Sequence, residues 1–172
     1  MESYFSGKWS DSSFDSYKWS GYRLVDEVNS QKPRSVLDIG CGFNRFKGKI
    51  NNLMGIDPYN DYADIKVPLE DYKAGPVDIA LCLGSINFGD EYTIDKQIEI
   101  LDTIWDKKAY FRVNPGIEHT WHDKADWDGI VWYDWTQSKI KSIVANYKYN
   151  LDRFEEEYTT QGHLRYYFEI SK

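Results

Sequence analysis

Gly40, Gly42 and Asp57 are the residues whose type and placement point most directly to chemistry. The stretch "SVLDIGCGFNRFKG" is an apolar run that halts at Gly-Cys-Gly and continues into polar, basic sequence; "LMGIDPY" is a second apolar run that halts at Asp57. In an open α/β sheet ligands lie beyond the carboxyl ends of the strands, near the point where strand order reverses. A glycine turn there lets a ligand approach the backbone and makes positive φ cheap. A carboxylate closing the next strand is the natural acceptor for the two hydroxyls of a ribose. Together they predict a nucleoside site.

The glycine pattern narrows the nucleoside. A dinucleotide brings a pyrophosphate to a helix N-terminus and favours G-x-G-x-x-G, whose last glycine permits tight helix packing. Arg45 stands at that position, and Asn44 beside it is a residue type that accepts the left-handed conformation. A cofactor without phosphates makes no such demand. S-adenosylmethionine is one, and the loop suits its amino-acid half better than a pyrophosphate.

The elements that must hold these residues alternate between short strand-like runs and helix-length amphipathic segments. "YRLVDEVNSQ" predicts a helix with Leu24, Val25 and Val28 on one face, ended by Pro33. "SVLDIG" and "LMGIDPY" are strands one and two, separated by the glycine loop and a short helix; Pro58 cannot donate to a ladder. "ADIKV" is the expected third strand, "VDIALCLG" a doubly buried fourth and "KAYFRVN" a fifth. Few residues separate Asp57 from "ADIKV", so the helix between strands two and three must be shortened or missing. "TIDKQIEILDTIW" places Ile94, Ile98, Leu101 and Trp105 at helical spacing. "TQSKIKSIVANY" is a helix capped by Thr136, followed by a hairpin of "LDRFEEEYTT" and "HLRYYFEISK" turning at Gly162. The expected fold class is α/β: a mostly parallel seven-stranded sheet with a C-terminal antiparallel hairpin. Residues 1–33 form an N-terminal segment and helix, and 34–172 the core of one domain.

With 172 residues and 41% hydrophobic content, the chain can bury one core. Its net charge of -7 argues against a protein that coats nucleic acid. No apolar stretch approaches the roughly 20 residues that span a bilayer, and the polar start lacks a signal-peptide core. Two cysteines, Cys41 and Cys82, supply no disulfide framework and fit a reducing compartment; simple burial accounts for both on neighbouring strands. The expected location is the cytoplasm.

"VLDIGCGFN", "GIDPY" and "VDIALCLGSINFGD" resemble, in that order, the first, second and fourth-strand motifs of the class I S-adenosylmethionine-dependent methyltransferases, especially small type 11 members. With the terminal helix and hairpin the resemblance covers nearly the whole chain. It implies a Rossmann-like class I methyltransferase fold. It also implies that Asp38, Gly40, Cys41 and Gly42 surround the methionine moiety, with Asn44 and Pro58 alongside, while Asp57 holds the ribose. Leu69 and Glu70 fall in line for adenine, although Pro68 stands where the family commonly has an acidic residue. Leu83, Gly84 and Ser85 would line the far side of the cofactor, with Asn87 nearest the acceptor and a catalytic candidate. No Asn-Pro-Pro-Tyr or Asp-Pro-Pro-Tyr occurs, which disfavours methylation of an exocyclic base amine. "LGSINFG" and "FRVNPG" also resemble methyltransferase-like proteins of tailed bacteriophages.

The remaining chemistry concerns the methyl acceptor. His119 and His122 follow strand five and are the candidate general bases; two solvated loop histidines is the alternative reading. One histidine pair in "EHTWHD" does not make a metal site, and no metal is expected. "WHDKADWDGIVWYDW", residues 121–135, is either an aromatic lid over the acceptor or a loop folding its rings onto the core. Tyr17, Trp19 and Tyr22 could cover the cofactor, with Arg23 or Arg45 reaching its carboxylate, but surface packing explains them equally. The expected function is methyl transfer from S-adenosylmethionine to a small molecule or nucleotide, by a monomer or homodimer. Two alternatives are a protein that binds S-adenosylmethionine or S-adenosylhomocysteine without turnover, and an NAD-dependent oxidoreductase. Arg45 and the lack of a substrate domain weigh against the second.

Overall fold

The first parallel pair forms from the two apolar runs that flank the glycine loop. In the computed structural model, which describes residues 21–89, 93–115, 131–159 and 162–172, β1 (Val36–Ile39) pairs with β2 (Leu53–Ile56), Val36 opposite Leu53 and Ile39 opposite Ile56. The strand β3 (Val77–Leu83), apolar from Ile79 onward, lies on the other side of β1, with Asp38 opposite Leu81. Because the chain goes from β1 to one neighbour and returns to the opposite one, strand order reverses beside β1. The carboxyl ends that meet there are those carrying Gly40, Asp57 and Leu83.

Beyond β3 the sheet continues with parallel β5 (Trp105–Val113) and antiparallel β8 (Leu164–Ser171) and β7 (Asn150–Tyr158), giving the order β2-β1-β3-β5-β8-β7. Among the described residues this sheet has six strands, not the seven expected. "ADIKV" makes one bridge, Ile65 to Ile56, and then leaves the sheet. The physical reason is local: the Val67 N–H turns back onto the Ile65 carbonyl, and Pro68 has no N–H to continue a ladder. The short link from Asp57 indeed holds turns instead of a helix. The glycine loop also differs from expectation. Residues 41–50 form successive turns and no helix, because Asn44 (φ 51°) and Gly48 (φ 74°) interrupt a right-handed path.

Among the described residues, three helices cover the sheet. α1 (Leu24–Ser30) buries Leu24 and Val28 completely. α2 (Ile94–Asp102) is capped by Thr93, whose hydroxyl accepts from the Lys96 N–H, and buries Ile94, Ile98 and Leu101. Trp105, expected on this helix, instead starts β5: the Ile104 N–H closes a turn on Leu101, and the Ile104 carbonyl accepts from Val77 at the head of β3. α3 (Gln137–Tyr147) is capped by Thr136, as expected, through the Lys139 N–H. It ends at Lys148 with φ 58°, where glycine avoids the cost of a Cβ. Lys148→Gly is therefore expected to raise stability by about 1 kcal/mol, read as a higher urea midpoint at unchanged slope. A two-stranded ribbon, β4 (Phe88–Gly89) with β6 (Val131–Trp132), was not anticipated.

Alternation along the strands sorts side chains to two faces. One face packs Leu37, Ile39, Ala80, Phe111 and Phe168 against α2 and α3, and the Phe111 and Phe168 rings stack at 4.6 Å. The other packs Val36, Ile79, Leu81 and Tyr110 with α1. Toward β7 this second face becomes a lattice of alternating charge, running through Lys108, Glu169, Arg153, Glu155, Arg23, Glu157 and Arg112. At the amino ends, remote from the glycine turn, Asp78 is held by Arg34 and Lys107. Hydrogen bonds from Arg34, then Lys107, keep its carboxyl well below the usual range.

Candidate functional site

Gly40 follows the last residue of β1 with φ 66°, and its N–H and that of Cys41 both donate to the Ile56 carbonyl at the end of β2. The turn is thereby tied to the strand that carries Asp57. A Cβ on Gly40 would lie 2.4 Å from the Ser85 Cβ. The missing side chain thus serves close contact between the loops after β1 and β3, not only ligand approach. Gly40→Ala is expected to cost about 3 kcal/mol, combining positive φ with overpacking. Adding Ser85→Gly should recover part of this in urea unfolding, because it removes the clash and leaves the φ penalty.

Asp57 is 6% exposed and faces the turn. One oxygen accepts from the Gly42 N–H at 3.1 Å and the other from Tyr59 at 2.8 Å. Burial pushes its carboxyl above the usual range, while N–H groups of Tyr59, Gly42 and Asn60 pull it back toward ionisation. Each oxygen retains further acceptor capacity. Pro58, next in the chain, has no N–H to compete for it.

Asp38 lies one pleat before the turn and is 4% exposed. Burial, reinforced by the neighbouring charge of Asp57, pushes its carboxyl up to about 7. Among the described residues it has no hydrogen-bond partner. An uncompensated buried carboxylate is a place where a cation binds favourably.

The second half of the ligand edge is built by the loop after β3. Gly84 (φ 114°) turns the chain, and Ser85 and Leu83 are partly buried, with the Ser85 hydroxyl unpartnered among the described residues. Asn87, 4% exposed, spends its amide on backbone: Nδ2 donates to the Gly84 carbonyl and Oδ1 accepts from Asn114 after β5. Its own carbonyl accepts from Tyr133, and the Trp135 indole N–H donates to Ile86. Asn87 therefore pins the loops after β3 and β5 to the entry of α3.

Other predicted residues have different surroundings. Leu69 is buried in the main core, in a single 3-10 turn over Leu69–Asp71, and Glu70 accepts from Gln97 on α2. Cys41 falls in the turn just past β1, and Cys82 is buried within β3. Burial pushes both thiols far up, so neither is a ready thiolate. Arg23 pairs with Glu155 and Glu157 and lies 4.3 Å over the Tyr167 ring. The Arg45 guanidinium sits 5.9 Å from the Phe43 ring centroid. Asn44 is buried, and its side chain turns to the Tyr62 carbonyl and Asp64. His119, His122, Tyr17, Trp19 and residues 121–130 of the aromatic stretch lie outside the described residues. Of that stretch, Trp132 packs edge-on against Phe88, and Trp135 is fully buried.

Two contributors were not singled out from the sequence. Asn60 accepts from the Tyr62 N–H and adds its own N–H to Asp57; "DPYND", with two residues that favour such turns, was the available signal. Asp64 caps the Gly55 N–H, a long-range contact with no local signature.

No family model matches the chain, and no curated protein matches it in sequence. Solved structures do. The 1,6-didemethyltoxoflavin-N1-methyltransferase of Burkholderia thailandensis, solved with 1,6-didemethyltoxoflavin and S-adenosylhomocysteine, is similar over 99% of this chain and 86% of its own, with TM-score 0.74 and 10% identity. The magnesium protoporphyrin IX methyltransferase of Synechocystis, solved with S-adenosylhomocysteine, covers 99% of each chain at TM-score 0.67 and 14% identity. An S-adenosylmethionine-dependent methyltransferase of Mesorhizobium loti covers 80% of this chain and 90% of its own at TM-score 0.58 and 13% identity. The likeness is one of fold: this chain has the α/β fold of S-adenosylmethionine-dependent methyltransferases, with a mixed six-stranded sheet.

Proposed function

We propose that this chain is an S-adenosylmethionine-dependent methyltransferase acting on a small molecule or nucleotide. One observation carries the reading: at the strand-order reversal, the glycine turn after β1 is hydrogen-bonded to the ribose-type carboxylate after β2. The structural neighbours solved with S-adenosylhomocysteine support the same cofactor. So does the donor set. Asp57 keeps lone pairs for ribose hydroxyls, and Asp38 is a buried carboxylate without a counter-charge among the described residues, suited to a ligand bearing an ammonium and a sulfonium. No pyrophosphate-binding helix follows the turn, which weighs against a dinucleotide.

When bound, S-adenosylmethionine supplies a methyl group on a sulfonium, open to in-line attack by an acceptor nucleophile. The protein's share is alignment and exclusion of water. Asp57 and the Gly42 turn orient the ribose side, Asp38 and Gly40 the methionine side, and Leu83, Gly84 and Ser85 wall the edge toward the acceptor. Asn87 holds the two acceptor-side loops in register. His119 and His122 are the proposed bases for an acceptor that must lose a proton. The motif order supports a small type 11-like member, the "LGSINFG" wording a bacteriophage relative, and two unpaired cysteines a reducing cytoplasm. Among the described residues, no helix is long and apolar enough to cross a membrane.

Calorimetric titration with S-adenosylhomocysteine and, separately, NAD tests the reading. One-site binding of the first and none of the second is expected. Binding of NAD alone would replace this function with a redox one.

A further inference from the structure

Asn44 stands at a left-handed position, φ 51°, in the middle of the turns that follow Gly42. Its side chain is 6% exposed and does not face the ligand edge. Nδ2 donates to the Tyr62 carbonyl at 3.0 Å and to Asp64 Oδ2 at 3.1 Å. The same Asp64 oxygen accepts from the Gly55 N–H of β2 at 2.9 Å, and the other Asp64 oxygen is paired with Lys47. The Phe43 and Tyr62 rings meet edge-on at 5.7 Å. A Cβ on Gly55 would lie 2.7 Å from Asn44 Oδ1 and 2.8 Å from the Cys41 sulfur, so the amide fits tightly against β2.

These contacts sit where the fold lacks an element. The segment between Asp57 and Pro68 has one bridge to the sheet and no helix of its own, yet it carries the residues that follow the ribose carboxylate. The Asp64 and Ile65 N–H groups tie it to the Gly55 carbonyl of β2; its side-chain attachments to the turns after β1 run through Asp57, which accepts from Gly42, and through Asn44 and Lys47, which hold Asp64. We infer that Asn44 is a positioning residue: its amide locks the 57–66 segment to the glycine turn, so that the two sides of the cofactor site are set at a fixed separation. The inference rests on the methyltransferase reading for the identity of the ligand. The physical logic is that of a shared network. Fixing Tyr62 and Asp64 against residue 44 limits where Asp57 can move relative to Gly42, and that spacing decides whether ribose and methionine contacts are made together.

Three variants separate positioning from mere stability. Asn44→Gly keeps and eases the left-handed backbone, deleting only the side-chain bonds. Asn44→Asp keeps size but sets a carboxylate against the Asp64 carboxylate and the Tyr62 carbonyl. The exchange Asn44→Asp with Asp64→Asn restores a donor-acceptor pair between the two positions. The readout is S-adenosylhomocysteine affinity by calorimetry, well below each variant's unfolding transition, with amide exchange at Gly42. Asn44→Gly is expected to weaken binding about tenfold and to speed Gly42 exchange. Asn44→Asp should weaken binding further, and the exchanged pair should recover much of the loss. If folded Asn44→Gly binds within about twofold of wild type with unchanged Gly42 exchange, the inference is overturned, whatever the stability change and even if Asn44→Asp fails to fold. Wild-type protein that binds no S-adenosylhomocysteine would instead overturn the methyltransferase reading, and this inference with it.

Discussion

Asp57→Ala is expected to weaken S-adenosylhomocysteine binding by at least about a hundredfold, from the loss of two charge-assisted hydrogen bonds worth about 1.5–3 kcal/mol each. The variant will not be silent in the free protein. The carboxylate also accepts from Gly42 and Tyr59, and those buried N–H groups would lose their partner. A stability loss of about 2 kcal/mol should accompany the binding defect, seen as a lower melting temperature. Asp57→Asn separates the two effects. Its oxygen can keep one backbone bond, but its amide nitrogen points a donor at the other N–H, so stability should fall between wild type and Asp57→Ala. Undiminished affinity in a folded Asp57→Ala protein would remove the ribose role.

Asp38 should make both stability and cofactor binding depend on pH, with opposite signs. Its folded-state carboxyl, pushed up to about 7 by burial and by Asp57, lies above the unfolded value near 3.9. Between those values the native state holds a proton that the unfolded chain has released. The stability Asp38 contributes is therefore fully present below about pH 4 and is lost as pH rises through about 7. Asp38→Asn should match wild type near pH 4 and exceed it at pH 8, by on the order of 4 kcal/mol at most. A ligand bearing an ammonium prefers the ionised carboxylate, so wild-type affinity for S-adenosylhomocysteine should rise across the same window, with proton release on binding near pH 7. In Asp38→Asn the affinity should be lower and flat through that window. Equal pH profiles for the two proteins would show that Asp38 does not meet the cationic end of the ligand.

The glycine turn and Asp57 were legible in the sequence because each closes an apolar run, and register between adjacent parallel strands brings such ends together. Expectation failed where distant contacts decide conformation. "ADIKV" has strand composition, but Val67 and Pro68 offer the sheet no further donor after Ile65. Trp105 fits a helical period with Leu101, yet Val77 captures the preceding carbonyl and starts a strand. Gly40 invited the idea of room for a ligand, whereas its nearest constraint is the Ser85 side chain. Asn44 attracted notice for its backbone tolerance, and its side-chain partners were invisible because Tyr62 and Asp64 are brought to it only by the turns after Asp57.

By itself the sequence determined the alternating α/β order, the Thr136 cap, the terminal hairpin and the placing of the glycine turn and Asp57 at the ends of neighbouring strands. Those features depend on residue type and short-range period, which each segment carries alone. Tertiary structure decided the number of strands, the burial beside Asp57 that raises Asp38, and the clamp from Asn44 to Asp64. Each of these depends on which groups are left to share a hydrogen bond once water is excluded, and that is settled only when the segments meet.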